Sequence, residues 1–146
     1  MIKETVKYTN YNGVEVTEDL YFNLTQPELY KLQASPIVGG DFQKAAEKAV
    51  KNNDANKMLE IYEELILCSY GEKSDDGNKF IKVRNGVPLR EEFSQSEAYV
   101  TLYMSILENP DKAMKFVRGV IPASLSSQIP EDVMKTIPGI ESTPTT

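Results

Sequence analysis

The chain opens with two runs that alternate apolar and polar side chains on either side of Asn12-Gly13, a pair suited to the positive backbone angles of a tight turn, so residues 1–24 predict a β-hairpin. Its register follows from the pattern. A two-residue loop would mix Lys7, Glu18, Leu20 and Phe22 on one face. A three-residue loop, Tyr11-Asn12-Gly13 with Gly13 left-handed, instead pairs Tyr8 with Val16, Val6 with Glu18 and Ile2 with Phe22. That register gathers Ile2, Val6, Tyr8, Val14, Val16, Leu20 and Phe22 on one side and leaves Lys3, Thr5, Lys7, Thr17, Asp19 and Tyr21 on the other; it is the one adopted.

Beyond the hairpin the apolar period changes to that of helices. Thr25-Gln26-Pro27-Glu28 has the form of a capping box, opening a helix with Leu29 and Leu32 that stops before Ser35-Pro36. Asp41 can cap a second helix carrying Phe42, Ala45, Ala46, Ala49 and Val50. From Asn56 to Tyr70, Met58, Ile61, Tyr62, Leu65 and Ile66 form a wide stripe, which predicts the central helix. Residues 71–88 are polar and glycine-bearing, and predict a long loop or a short extended element. Helical spacing resumes at Leu89, runs through Tyr99, Leu102, Tyr103, Ile106 and Leu107 to Asn109-Pro110, and restarts with Ala113, Phe116, Val117 and Val120. Prolines 122, 130, 138 and 144 then prevent a continuous helix and leave Ile129, Val133, Met134 and Ile137 as a short apolar patch. The expected fold is therefore mainly α with an N-terminal β-hairpin, an α+β arrangement dominated by helix: a small single domain over residues 1–122 and a mobile tail over 123–146.

Composition narrows the function. A net charge of −6, with 16 Lys and Arg scattered among 22 acids, offers no basic stripe for phosphates, so nucleic acid is not an expected partner. Met1-Ile2-Lys3-Glu4-Thr5 lacks the apolar stretch of a signal peptide, and no run of apolar residues is long enough for a membrane span, which predicts a cytosolic protein. Histidine is absent, which removes the commonest general base and metal ligand. Cys68 is the one cysteine and reads as a buried, inert thiol. The run Glu72-Lys73-Ser74-Asp75-Asp76-Gly77 resembles part of a calcium loop, but the twelfth position would be Val83 instead of a bidentate Glu, so it reads as a solvated turn. Glu63-Glu64 and Glu91-Glu92 are adjacent pairs that point in different directions on a helix and read as solvated faces. Lys48, Lys51 and Lys57 lack a glycine-rich phosphate loop beside them. No catalytic, cofactor-binding or metal-binding residue is expected, and no enzyme.

Three longer motifs carry a family resemblance: Tyr21-Phe22-Asn23-Leu24-Thr25 after the hairpin; Ser69-Tyr70-Gly71-Glu72-Lys73-Ser74-Asp75-Asp76-Gly77 followed by Phe80-Ile81-Lys82; and Leu89-Arg90-Glu91-Glu92-Phe93-Ser94-Gln95-Ser96-Glu97-Ala98-Tyr99. Over about residues 1–122 the chain resembles the tail assembly chaperones of siphophages infecting Gram-positive bacteria. The resemblance implies a bacteriophage protein of the host cytoplasm that binds the tape measure protein, keeps it soluble before tail-tube polymerisation and leaves the finished particle. It also implies a link to the tail-tube protein through a longer frameshifted form, where one is made. The open hairpin edges and a repetitive client predict self-association into a ring or spiral. The alternative is a structural virion component such as a head–tail connector or tail-tube end protein.

Within this frame the expected partner-binding residues are Tyr99, Leu102, Tyr103, Ile106, Phe116 and Val117, because tyrosines and apolar side chains there combine an interface-like composition with a family motif. The tail patch, Ile129, Val133, Met134 and Ile137, is expected to contact a neighbouring subunit or the client.

Overall fold

The computed structural model of the chain describes residues 1–40 and 42–121. Strands β1 (Ile2–Thr9) and β2 (Glu15–Phe22) form the expected antiparallel hairpin, with Tyr8 opposite Val16, Val6 opposite Glu18 and Ile2 opposite Phe22. The turn explains the register. Asn10 Oδ1 accepts hydrogen bonds from the backbone N–H of Asn12 and of Val14 at 2.9 and 3.0 Å, and Gly13 takes a φ of +76° that a side chain would resist. Val6, Leu20 and Phe22 are buried on one face, while Thr5 donates to Asp19 and Lys7 pairs with Glu15 on the other.

The hairpin does not stand alone, and here the mainly helical expectation is corrected. β3 (Tyr70–Lys73) pairs with β2 and β4 (Phe80–Ile81) pairs with β3, giving a four-stranded antiparallel sheet in the order β1-β2-β3-β4. β5 (Val83–Arg84) and β6 (Val87–Pro88) form a second, two-stranded ribbon around Asn85-Gly86, both with positive φ. The fold is thus α+β with two antiparallel sheets. Gly71 makes the sheet possible at this point: a Cβ there would lie 2.5 Å from the Phe80 ring and 2.7 Å from the Ile81 carbonyl oxygen.

Helix α1 (Gln26–Ala34) starts at a reciprocal capping box, in which Thr25 Oγ1 accepts from the Glu28 N–H and Glu28 Oε1 accepts from the Thr25 N–H. α2 (Phe42–Lys51) follows; the expected Asp41 cap lies outside the described residues. α3 (Ala55–Ser69) is capped by Asp54 and buries Met58, Ile61, Tyr62, Leu65, Ile66 and Leu67. The helical stretch that starts at Leu89 divides at Ser94–Ser96 into α4 (Leu89–Phe93) and α5 (Glu97–Glu108), because Ser96 caps α5 through the Tyr99 N–H. Asn109 ends α5 and caps α6 (Pro110–Val120).

A single core unites these elements. Phe22 at the end of β2 meets Phe116 of α6 at 5.1 Å between ring centroids, Tyr70 at 5.8 Å and Phe93 at 5.9 Å, and Tyr70 stacks on Phe93 at 3.9 Å. The buried Tyr62 hydroxyl donates to the Ala113 carbonyl, so its polar tip is satisfied. Two backbone bonds close the fold: Asn23 N–H donates to Ser69 O at 2.7 Å and Leu24 N–H to Val120 O at 3.1 Å. The expected boundary after residue 122 and the tail patch Ile129, Val133, Met134 and Ile137 lie outside the described residues.

Candidate functional site

The expected partner-binding residues divide by position around α5 and α6. Leu102 and Ile106 face inward from α5, and Phe116 and Val117 from α6; all four are wholly enclosed in the core. In this conformation their work is packing. Tyr99 and Tyr103 are half-buried and adjacent, with ring centroids 5.7 Å apart. Tyr99 also meets Phe93 edge-on, and the Tyr103 hydroxyl donates to the Leu59 carbonyl. Burial first, and the Glu63 carboxylate second, push both phenol pKa values up, so both rings stay neutral donors.

The next sector of α5 was not singled out by its sequence. Val100 and Met104 are 44% and 45% exposed, one helical turn apart, and Leu107 continues the line half-buried. With Tyr103 beside them they make an apolar stripe along the outside of the helix, opposite the inward Ala98, Leu102 and Ile106. The signal was present but ambiguous. A helix that is apolar on several sides does not reveal by periodicity which side faces water.

A second feature is a cleft of about 350 Å³ between α1, α3 and the β5–β6 ribbon, lined by Leu32, Leu67, Cys68, Tyr70, Val83 and Pro88 among others. Its two half-buried cations are pinned by the protein itself. Lys82 Nζ donates to Asn23 O, Cys68 O and Glu28 Oε2 at 2.7, 2.6 and 2.8 Å. Arg90 forms a fork on Glu64, at 2.6 and 2.8 Å, and Nη1 lies 3.1 Å from Cys68 Sγ. The Arg90 hydrogen bonds hold the Glu64 carboxyl below its ordinary pKa, against the opposing effect of burial. Glu63 remains exposed, but Glu64 is not the solvated group its sequence suggests, because Arg90 draws it inward.

Cys68 donates its S–H to Glu64 Oε1, and burial, then that carboxylate, push the thiol pKa up to about 12. A thiolate nucleophile is disfavoured here. In the β3–β4 turn, Asp76 Oδ1 accepts from Ser74 Oγ and the Asn78 N–H, so its carboxylate is used to shape its own loop. Among the described residues no group of three His, Cys, Asp or Glu side chains is placed to hold a metal ion.

Residues 1–146 match the profile of a family described as phage tail assembly chaperone, so the match spans the whole chain. The protein belongs to this family. No curated protein and no solved structure shows significant similarity to the chain. The role named for the family is one of assembly, for which an exposed apolar surface such as the α5 stripe is suited. Among the described residues of this tail assembly chaperone, no helix is long and apolar enough to cross a membrane.

Proposed function

We propose that this chaperone binds the phage tape measure protein in the host cytoplasm and keeps it soluble until tail-tube subunits polymerise around it. The observation that carries this reading is the stripe Val100, Tyr103, Met104 and Leu107 on α5 in a member of the tail assembly chaperone family. A tape measure protein is a long helical client whose apolar stripes need cover, and an amphipathic helix face offers that cover by side-to-side packing. Tyrosine contributes area with little entropy to lose on ordering. On this reading several copies act along one client, and their combined hold exceeds that of each site while each remains displaceable. Self-association into a ring or spiral draws on the outer edge of β1, the first strand of the sheet. Contact with the tail-tube protein belongs to a longer frameshifted form, and the protein leaves before the virion matures.

The experiment is co-expression with the tape measure protein, read as client recovered in the soluble fraction. The protein should raise that recovery, and Val100→Asp with Met104→Asp should abolish the gain while circular dichroism stays unchanged, since an uncompensated charge cannot be desolvated against an apolar client. No gain with the unaltered protein would overturn the function. Full recovery with the folded double variant would overturn the face. Chaperone retained in purified virions would oppose its release, and a strict monomer by light scattering at all concentrations would oppose self-association.

A further inference from the structure

The outer face of α5 carries charge of one sign. Glu97 and Glu108 are the charged residues of the helix, and neither Lys nor Arg occurs between them. Positions 97, 100, 104 and 108 follow one another at steps of three and four, so the two acids share the face of Val100 and Met104 and stand one at each end of it. They are eleven positions apart, roughly 16 Å along the helix axis.

A third acid borders one flank. Glu63 of α3 is exposed, and its carboxylate acts on the phenols of both Tyr99 and Tyr103, which places it beside the stripe on the α3 side. At the N-terminal end, a hydrogen bond to Glu97 pushes the pKa of the Tyr11 phenol up, so the exposed ring of the hairpin tip stands neutral beside that acid. Among the described residues, ion pairs engage Glu4, Glu15, Glu28, Glu64 and Glu72, and none of Glu63, Glu97 and Glu108. The acids around the stripe thus keep their charge for a partner. Charges at the rim of an apolar contact act mainly on orientation, encounter rate and the choice of partner, because like charges brought together there are repelled as water is excluded.

We propose that the α5 face selects an amphipathic client helix whose apolar stripe is bracketed by two Lys or Arg eleven positions apart, the cations meeting Glu97 and Glu108. This rests on the reading of α5 as the client-binding face. Two helices packed at about 20° rise almost equally along their contact, so cations at that spacing stay in step with both acids. A helix with acids at the same places is repelled at both ends, and Glu63 extends the repulsion along one side.

Three stapled helical peptides of 18 residues with one leucine stripe serve as probes. The first has lysines eleven apart at the two ends of the stripe, the second has glutamates there, and the third has the two lysines moved to the opposite face. By fluorescence anisotropy at about 20 mM salt, the first should bind the full-length protein about tenfold tighter than either of the others, a margin that falls to about twofold or less at about 1 M salt. Glu97→Gln with Glu108→Gln should erase the preference. Asp75→Asn with Glu92→Gln, which changes the net charge equally, should leave it in place, with circular dichroism unchanged in both variants. Equal binding of the first peptide and either other would overturn the proposal and leave the α5 face standing. Binding of the first peptide that survives Val100→Asp with Met104→Asp would overturn the face and the proposal together, and so would failure of all three peptides to bind.

Discussion

The sheet meets the helices through rings, Phe22 edge-on to Phe116 and Phe93 with Tyr70 stacked on Phe93, whereas Lys82, between β4 and β5, ties α1 to α3, and Arg90 ties α4 to α3. Phe22, Phe93 and Phe116 of the ring cluster are buried, so its stability comes mainly from area removed from water and depends little on pH. Lys82 and Arg90 are partly exposed to solvent, and donate to the Asn23 and Cys68 carbonyls and to the Glu28 and Glu64 carboxylates. One region resists change of shape; the other resists change of charge. The difference teaches where a chaperone can be rigid and where it can be opened, since the cation-held side is also the side of the cleft.

The largest expected effect is on the ring cluster. Phe116→Ala should lower unfolding free energy by about 3–5 kcal/mol, measured by urea denaturation, because it removes a fully enclosed ring and leaves a cavity beside Phe22. A loss under about 1 kcal/mol would mean that the cluster repacks and that the contrast with the cation-held side is overstated. Lys82→Met should cost less, about 2 kcal/mol, because it strands the Asn23 and Cys68 carbonyls without their shared donor but keeps most of the aliphatic stem. Its loss should not depend on filling a cavity, so Lys82→Arg should restore only part of it.

The smallest effect concerns acid. Glu64 is held below its ordinary pKa by hydrogen bonds from Arg90; burial pushes Glu28 up, but Lys82 and the Thr25 N–H outweigh it, so Glu28 is lowered too. A carboxyl with a lowered folded pKa adds stability that is fully present above its unfolded pKa, near 4.3 for Glu, and is lost as pH falls through the folded value. Stability should therefore decline modestly between pH 6 and the acid side of that range, and Glu64→Gln should flatten the decline. The cost of Phe116→Ala should be the same at both ends. Equal pH slopes for Glu64→Gln and the unaltered chain would remove Arg90 and Glu64 from the account of stability.

The hairpin register and several helix starts were legible because each is specified locally: Asn10 and Gly13 fix the turn, and Thr25, Asp54 and Asn109 each accept a hydrogen bond from a nearby backbone N–H, whereas the start of α5 at Ser96 was missed because the apolar spacing runs across the break. Strands β3 to β6 were not, since pairs such as Phe80–Ile81 and Val87–Pro88 are too short to show alternation and become strands only when a neighbour arrives. The helical emphasis failed for that reason. At the candidate site, Tyr99 and Tyr103 are half-buried while Leu102 and Ile106, expected beside them at the partner surface, are core, and Val100 and Met104 were indistinguishable from core residues because α5 is apolar on both sides. The Arg90–Glu64 pair joins positions 26 apart in sequence and has no local signature.

The hydrogen bond from Leu24 to Val120 also decides how the molecule carries load. Any pull applied through residues beyond Ile121 reaches the last turn of α6 first, and there it meets a backbone bond anchored next to the end of β2. Asn23 hands the same strain to Ser69 at the end of α3. Traction on the tail is thus shared between a helix, the central helix and the sheet, instead of unwinding α6 turn by turn. The fold that holds the α5 stripe in place is in this way braced at its α6 end.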